Sequence, residues 1–105
     1  MFAAVSDYLA PLGEVDLLRK AHHRWVEQLY RAGAILVSGR REPPSGGVVV
    51  ATAESEEAML ALLESDPFVA GGVARYTVYA FSPAAGPLRS PAFEQFIAAA
   101  AAAVR

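Results

Sequence analysis

Apolar positions along the chain switch between two periods, and the switches predict its elements. Phe2 to Leu9 is a short mixed apolar and aromatic run closed by Ala10-Pro11-Leu12-Gly13, which predicts a first strand. From Glu14 to Ala32 the apolar residues Val15, Leu18, Trp25, Val26 and Leu29 recur at helical spacing, with acids at the start, Arg31 at the end and Gly33 as a stop. A second strand is predicted over Ala34-Ile35-Leu36-Val37-Ser38. A loop follows over Arg40-Arg41-Glu42-Pro43-Pro44-Ser45-Gly46-Gly47. Val48 to Thr52 is β-branched and apolar on both faces, the pattern of an interior strand. Ser55-Glu56-Glu57 opens a second helix through Met59, Leu62 and Leu63 to about Ser65. After a turn at Asp66, Arg75 to Phe81 is the fourth strand. Ser82 to Leu88 reads as linker, and Ser90-Pro91 starts an alanine-rich third helix.

The order βαββαβ predicts an α+β, ferredoxin-like sandwich, with both crossover helices on one face of a four-stranded antiparallel sheet and an extra C-terminal helix. Two helices cover only one sheet face, yet strands three and four carry apolar or aromatic residues on both. The second face therefore predicts a homodimer with its sheets packed together, a dimeric α+β barrel. The expected division is a domain over 1–83, then linker and helix over 84–105.

Composition narrows the function. At 105 residues the chain holds one core. A formal net charge of −2 argues against a nucleic-acid partner. No apolar run reaches the ~20 residues of a membrane span, and no basic leader precedes Asp7, so no membrane partner and a cytoplasmic location are expected. With no cysteine, disulfides, thiolate catalysis and cysteine-ligated zinc are excluded.

The candidate chemistry is a histidine and a carboxylate. On a wheel of about 100° per residue, His22 falls inside the apolar arc of the first helix, and His23 falls outside it, toward the rim or solvent. A polar ring among core positions needs a partner or costs ~1–3 kcal/mol. That partner is a backbone carbonyl if His22 is merely structural. Asp66 before Pro67 reads as a helix N-cap, a role that leaves a carboxylate oxygen for a second partner. Adjacent histidines cannot share a metal from one helix face, so no metal site is expected. Gly46-Gly47 and Gly71-Gly72 read as turns rather than phosphate cradles. The Arg40-Arg41 pair, placed in the loop, is solvated charge or, at a pocket mouth, an anion contact.

An ordered set of segments resembles the YciI-like (YCII-related) family. These are Arg19-Lys20-Ala21-His22, Gly33, Ile35-Leu36-Val37-Ser38-Gly39, Gly46-Gly47-Val48, Glu56-Glu57-Ala58, Asp66-Pro67-Phe68 and Val73-Ala74-Arg75-Tyr76, spread over about residues 1–83. The resemblance implies a ferredoxin-like fold in dimeric α+β barrels and a cleft with a His–Asp pair, carried here by His22 and Asp66. It implies substrate contacts from Arg19, Ser38, Gly39 and the following residue. The family often has proline there, whereas this chain has Arg40. The activity implied is cofactor-independent acid–base chemistry of lyase or dehalogenase type on a small hydroxylated ring. The alternative is a non-catalytic ligand-binding or dimerisation module. A cleft shared by His22 and Asp66 would discriminate between them.

Overall fold

A computed structural model describes residues 1–84 and Gln95. The expected C-terminal helix lies outside the described residues. Seven elements follow in order: β1 (Phe2–Tyr8), α1 (Leu12–Arg31), β2 (Ile35–Arg40), β3 (Gly47–Ala51), α2 (Glu56–Glu64), the short α3 (Pro67–Ala70) and β4 (Ala74–Ala80). The strands form one antiparallel sheet in the order β2-β3-β1-β4. This is the α+β, ferredoxin-like arrangement that the periodicity predicts.

Helix α1 owes its ends to local chemistry. Glu14 in the first turn and Arg31 in the last oppose the helix dipole. The Gly33 N–H donates to Tyr30 O and the Ala34 N–H to Leu29 O. Gly33 has a φ of 79°, the left-handed geometry that lets a helix stop and turn sharply into a strand. Helix α2 is capped by the Ser55 side chain, which accepts from the Ala58 N–H.

Alternation in β1 sends Phe2, Ala4 and Ser6 inward, and the helices cover them. With Trp25, Ile35, Val49, Ala51, Met59 and Leu63, the two apolar residues of that set form the larger core cluster. Val15, Phe68, Val73 and Ala74 form a second. Trp25 also donates its indole N–H to Ser65 Oγ at 2.8 Å, tying α1 to the end of α2 next to Asp66. A bond of this kind contributes about 1 kcal/mol net, and here it also sets where the two helices meet.

Two sequence expectations need correction. Strand β2 runs on through Gly39 and Arg40, so Arg40 is a strand residue and the loop begins at Arg41. The strand also carries a bulge. Ile35 pairs with Ala51 and Val37 with Val50, so Leu36 has no partner on β3. Strict alternation would send Val37 inward and Ser38 and Arg40 outward. With the extra residue, Ser38 sits opposite the inward-facing Val49, and Arg40 opposite Gly47. Nor is Gly46-Gly47 simply a turn, because Gly47 opens β3. A Cβ on Gly46 would lie 1.8 Å from the Ser6 carbonyl oxygen, so the loop can approach β1 only at a glycine.

No described helix is long and apolar enough to cross a membrane.

Candidate active site

Asp66 is the best-connected side chain of the site. It is the N-cap of α3, with Pro67 at the first helical position, and is fully buried. Its Oδ1 accepts from the Phe68 N–H at 2.9 Å and from His22 Nδ1 at 2.8 Å. Its Oδ2 accepts from the Tyr76 hydroxyl at 2.7 Å. The capping role uses one oxygen and leaves the other for a second partner, in line with the sequence expectation. One oxygen serves both the cap and the imidazole, and the other serves a tyrosine.

His22 therefore has a carboxylate for a partner, not the backbone carbonyl of the structural reading. A carboxylate only accepts, so the proton of this bond sits on Nδ1 and leaves Nε2 as the unprotonated nitrogen of the neutral ring. The ring is held on its faces as well. It lies parallel to Phe68 with centroids 4.0 Å apart and planes 8° apart, and Trp25 stacks at 6.0 Å. Packing thus fixes the ring plane and Asp66 fixes its rotation, while 17% of the side chain remains exposed.

Tyr76 was not singled out in the sequence, although two signals point to it. Alternation along β4 places it on the helix-covered face, opposite the buried Ser6. A tyrosine there needs a hydroxyl partner, and the nearest carboxylate in sequence is Asp66. Burial, reinforced by the adjacent Asp66 charge, pushes its phenol well above the ordinary tyrosine range, so it remains a donor. The folded state therefore holds this proton more tightly than the unfolded chain, whose tyrosine titrates near 10. The stability that follows is complete below about pH 10 and is lost as the pH rises beyond it. Urea unfolding of the wild type and Tyr76→Phe between pH 8 and 11 is expected to show a steeper alkaline decline in the wild type. Parallel curves would contradict the assignment.

A cavity of about 150 Å³ lies between α1 and the sheet. Helix α1 contributes Arg19, His22 and His23. Strand β2 contributes Ser38, Gly39 and Arg40, and Tyr8 and Tyr76 line the cavity from β1 and β4. Asp66 does not line it but sits sealed behind His22. The Arg19 Nε donates to Asp16 Oδ1 at 2.8 Å. Its Nη2 is 2.7 Å from the same oxygen but off the line of a hydrogen bond, and is buried with no aligned acceptor. Burial works against the Arg19 charge, but Asp16 and Tyr8 more than restore it and keep the guanidinium firmly protonated. Among the described residues, no three His, Asp or Glu side chains converge on a point where they could share a metal ion.

Chemically, the site presents one oriented imidazole, a buried carboxylate that fixes its tautomer, and cations at the cavity wall. That constellation can move a proton to and from a small molecule without a cofactor.

The described architecture is similar to a solved structure, the 5-chloro-2-hydroxyhydroquinone dehydrochlorinase (TftG) from Burkholderia phenoliruptrix AC1100 in complex with 2,5-dihydroxybenzoquinone. The TM-score is 0.63 at 21% identity, over 78% of this chain and 94% of that one. No curated protein matches the sequence. The YCII-related domain family matches residues 1–82, which takes in β1 to β4 and every side chain of the His22–Asp66–Tyr76 network. The chain belongs to the YCII-related family.

Proposed function

We propose that the protein is a small cofactor-independent enzyme that uses His22 as a proton shuttle on a hydroxylated six-membered ring, with loss of a halide or similar group. The observation that carries this reading is the sealed Asp66 carboxylate, which engages Nδ1 and leaves Nε2 as the ring nitrogen available to a ligand. The cavity volume supports it, since about 150 Å³ is the size of site that takes up one benzene-like ring. The similarity to a dehydrochlorinase of a chlorinated hydroxyhydroquinone supports the reaction class.

The chemistry balances on one imidazole. Nε2 takes a ring hydroxyl proton and returns it to the halogen-bearing carbon, which becomes tetrahedral. Removal of a second hydroxyl proton then sends its electron pair into the ring, and the carbon–halogen bond breaks with its electrons on the halide. The net products are a quinone, a proton and a halide ion. Asp66 stabilises each imidazolium that forms and holds the neutral tautomer between steps. The test is halide release and quinone absorbance from 5-chloro-2-hydroxyhydroquinone, with wild type and His22→Gln side by side. Halide release that is equal in the two proteins, or absent from both, would remove the proposal.

We also propose that a second copy of the chain covers the outer sheet face. Val37 and Tyr79 are each 59% exposed there, and Val48 and Phe81 are also exposed. The registers put Val5 opposite Val48, and Ala3 opposite Val50 on one side and Tyr79 on the other. An apolar stripe of this kind is what a partner surface buries. Light scattering is expected to give twice the 11.1 kDa chain mass. Tyr79→Lys combined with Val48→Lys is expected to give the single-chain mass with unchanged circular dichroism. A wild-type monomer at micromolar concentration would contradict the second copy.

A further inference from the structure

Resting on the proposed ring chemistry, we infer that the substrate carries a second, anionic group, a carboxylate on the same ring, and that Arg40 reads it. The argument starts from the charge of the cavity wall. Helix α1 brings the Arg19 guanidinium and two imidazoles, and β2 brings the Arg40 guanidinium. Among the described residues, no aspartate or glutamate lines the cavity. Asp66 is spent on three donors behind His22, and Asp16 pairs with Arg19 from an exposed position outside the lining. A small space walled by cations with no lining counter-charge is built for an anion, because apolar walls focus the field into the site.

A phenolate or enolate at His22 accounts for one negative charge but leaves Arg40 unexplained. The neighbouring arginine is committed elsewhere: Arg41 bonds Asp7 and the Ser6 carbonyl. Among the described residues, the Arg40 guanidinium has no ion pair or hydrogen bond. Its placement at the cavity is not incidental to the strand. The bulge at Leu36 is what sets Ser38 and Arg40 opposite Val49 and Gly47, on the wall facing α1. Gly47 opposite it brings no side chain, which leaves room for the long arginine stem.

The guanidinium fork matches a planar carboxylate with two parallel N–H···O bonds, whereas a lone phenolate oxygen engages only one arm. His22 and Arg40 stand on opposite walls, one on the helix and one on the sheet. A ring lying between them therefore presents its hydroxyl to one and its acid group to the other. His22 selects by proton transfer and Arg40 by charge.

The experiment is isothermal titration of the wild-type protein with phenol, benzoate and the three hydroxybenzoate isomers at low and high salt, repeated with Arg40→Gln and Arg40→Lys. One hydroxybenzoate isomer is expected to bind at least about tenfold more tightly than phenol, and the preference should shrink at high salt. Arg40→Gln is expected to bring that ratio to near one, and Arg40→Lys to keep part of it. Equal binding of phenol and every hydroxybenzoate by the wild type overturns the inference. So does a preference that survives Arg40→Gln, or no binding of any ring up to millimolar concentration. Halide release from a chlorinated dihydroxybenzoate beside the acid-free ring, wild type against His22→Gln, judges the ring chemistry whether or not Arg40 reads an acid group, and the titrations judge Arg40 alone.

Discussion

Asp66→Ala is expected to lower the stability of the fold by about 3–5 kcal/mol, the range seen when one partner of a buried, hydrogen-bonded charge is removed. Three donors lose their acceptor at once. The Phe68 amide loses its cap, worth about 1 kcal/mol. The Tyr76 hydroxyl and the His22 Nδ1–H are left without a partner, at about 1–3 kcal/mol each where water cannot reach. His22 is partly exposed and recovers some of this by hydrating, which keeps the total near the lower half of the simple sum. Urea unfolding should show the loss as a lower midpoint with an unchanged slope. Asp66→Asn is expected to cost less, because the amide oxygen still accepts from the cap and the Tyr76 hydroxyl can turn to accept from the amide N–H. An Asp66→Ala midpoint within experimental error of the wild type would mean that the network does not hold these elements together.

The largest effect on activity is expected from His22→Gln. Glutamine reaches a similar distance but cannot take up a proton, and loss of a positioned acid–base group typically lowers the rate about 10²- to 10⁴-fold. Stability should change little beside that, since the ring lies at the edge of the core and its stack on Phe68 is only one of several contacts there. Asp66→Asn is expected to lower the rate as well, but by a different route. The amide oxygen still accepts from the cap and faces Nδ1, but it carries no charge, so the imidazolium that forms during proton transfer loses its stabilisation. Nitrogen chemical shifts of His22 should show the Nδ1–H tautomer in both the wild type and Asp66→Asn, which assigns the slower rate to the lost charge and not to the wrong tautomer. If the two residues act as a unit, the double variant His22→Gln/Asp66→Asn will be no slower than His22→Gln alone. Additive losses would separate Asp66 from the proton-transfer step.

Much of this architecture is legible in the sequence. The helical period over Glu14 to Ala32 placed His22 among the core-facing residues, and the Asp66-Pro67 pair announced a cap. Both are local signals, set by the spacing of a few neighbours. What spacing could not supply was the meeting of residues 22, 66 and 76, which lie on three different elements and are assembled by the sheet order. Tyr76 escaped notice for that reason. Alternation assigns it a face but not a partner. Arg40 was misplaced for another reason. The arginines and prolines after Gly39 look like a loop beginning, and a bulge leaves no mark in hydrophobicity because Leu36 and Val37 are both apolar. The register across β2 and β3 is a tertiary fact, and the chemistry of one cavity wall depends on it.

The double duty of Asp66 Oδ1 also gives the protein a built-in gauge. The oxygen that holds the imidazole also holds the Phe68 amide hydrogen, so anything that loosens the carboxylate from its position frees both. Deuterium uptake at that one amide, resolved in a heteronuclear spectrum, therefore reads the tightness of the imidazole's anchor without reference to any substrate. A compound that grips the ring and steadies it should slow the uptake. A distant core substitution that lets α3 breathe should quicken it and blunt the chemistry to a matching degree. Protein quality and proton transfer would then decay together as the chain accumulates change, because the four-residue helix and the base hang from one atom.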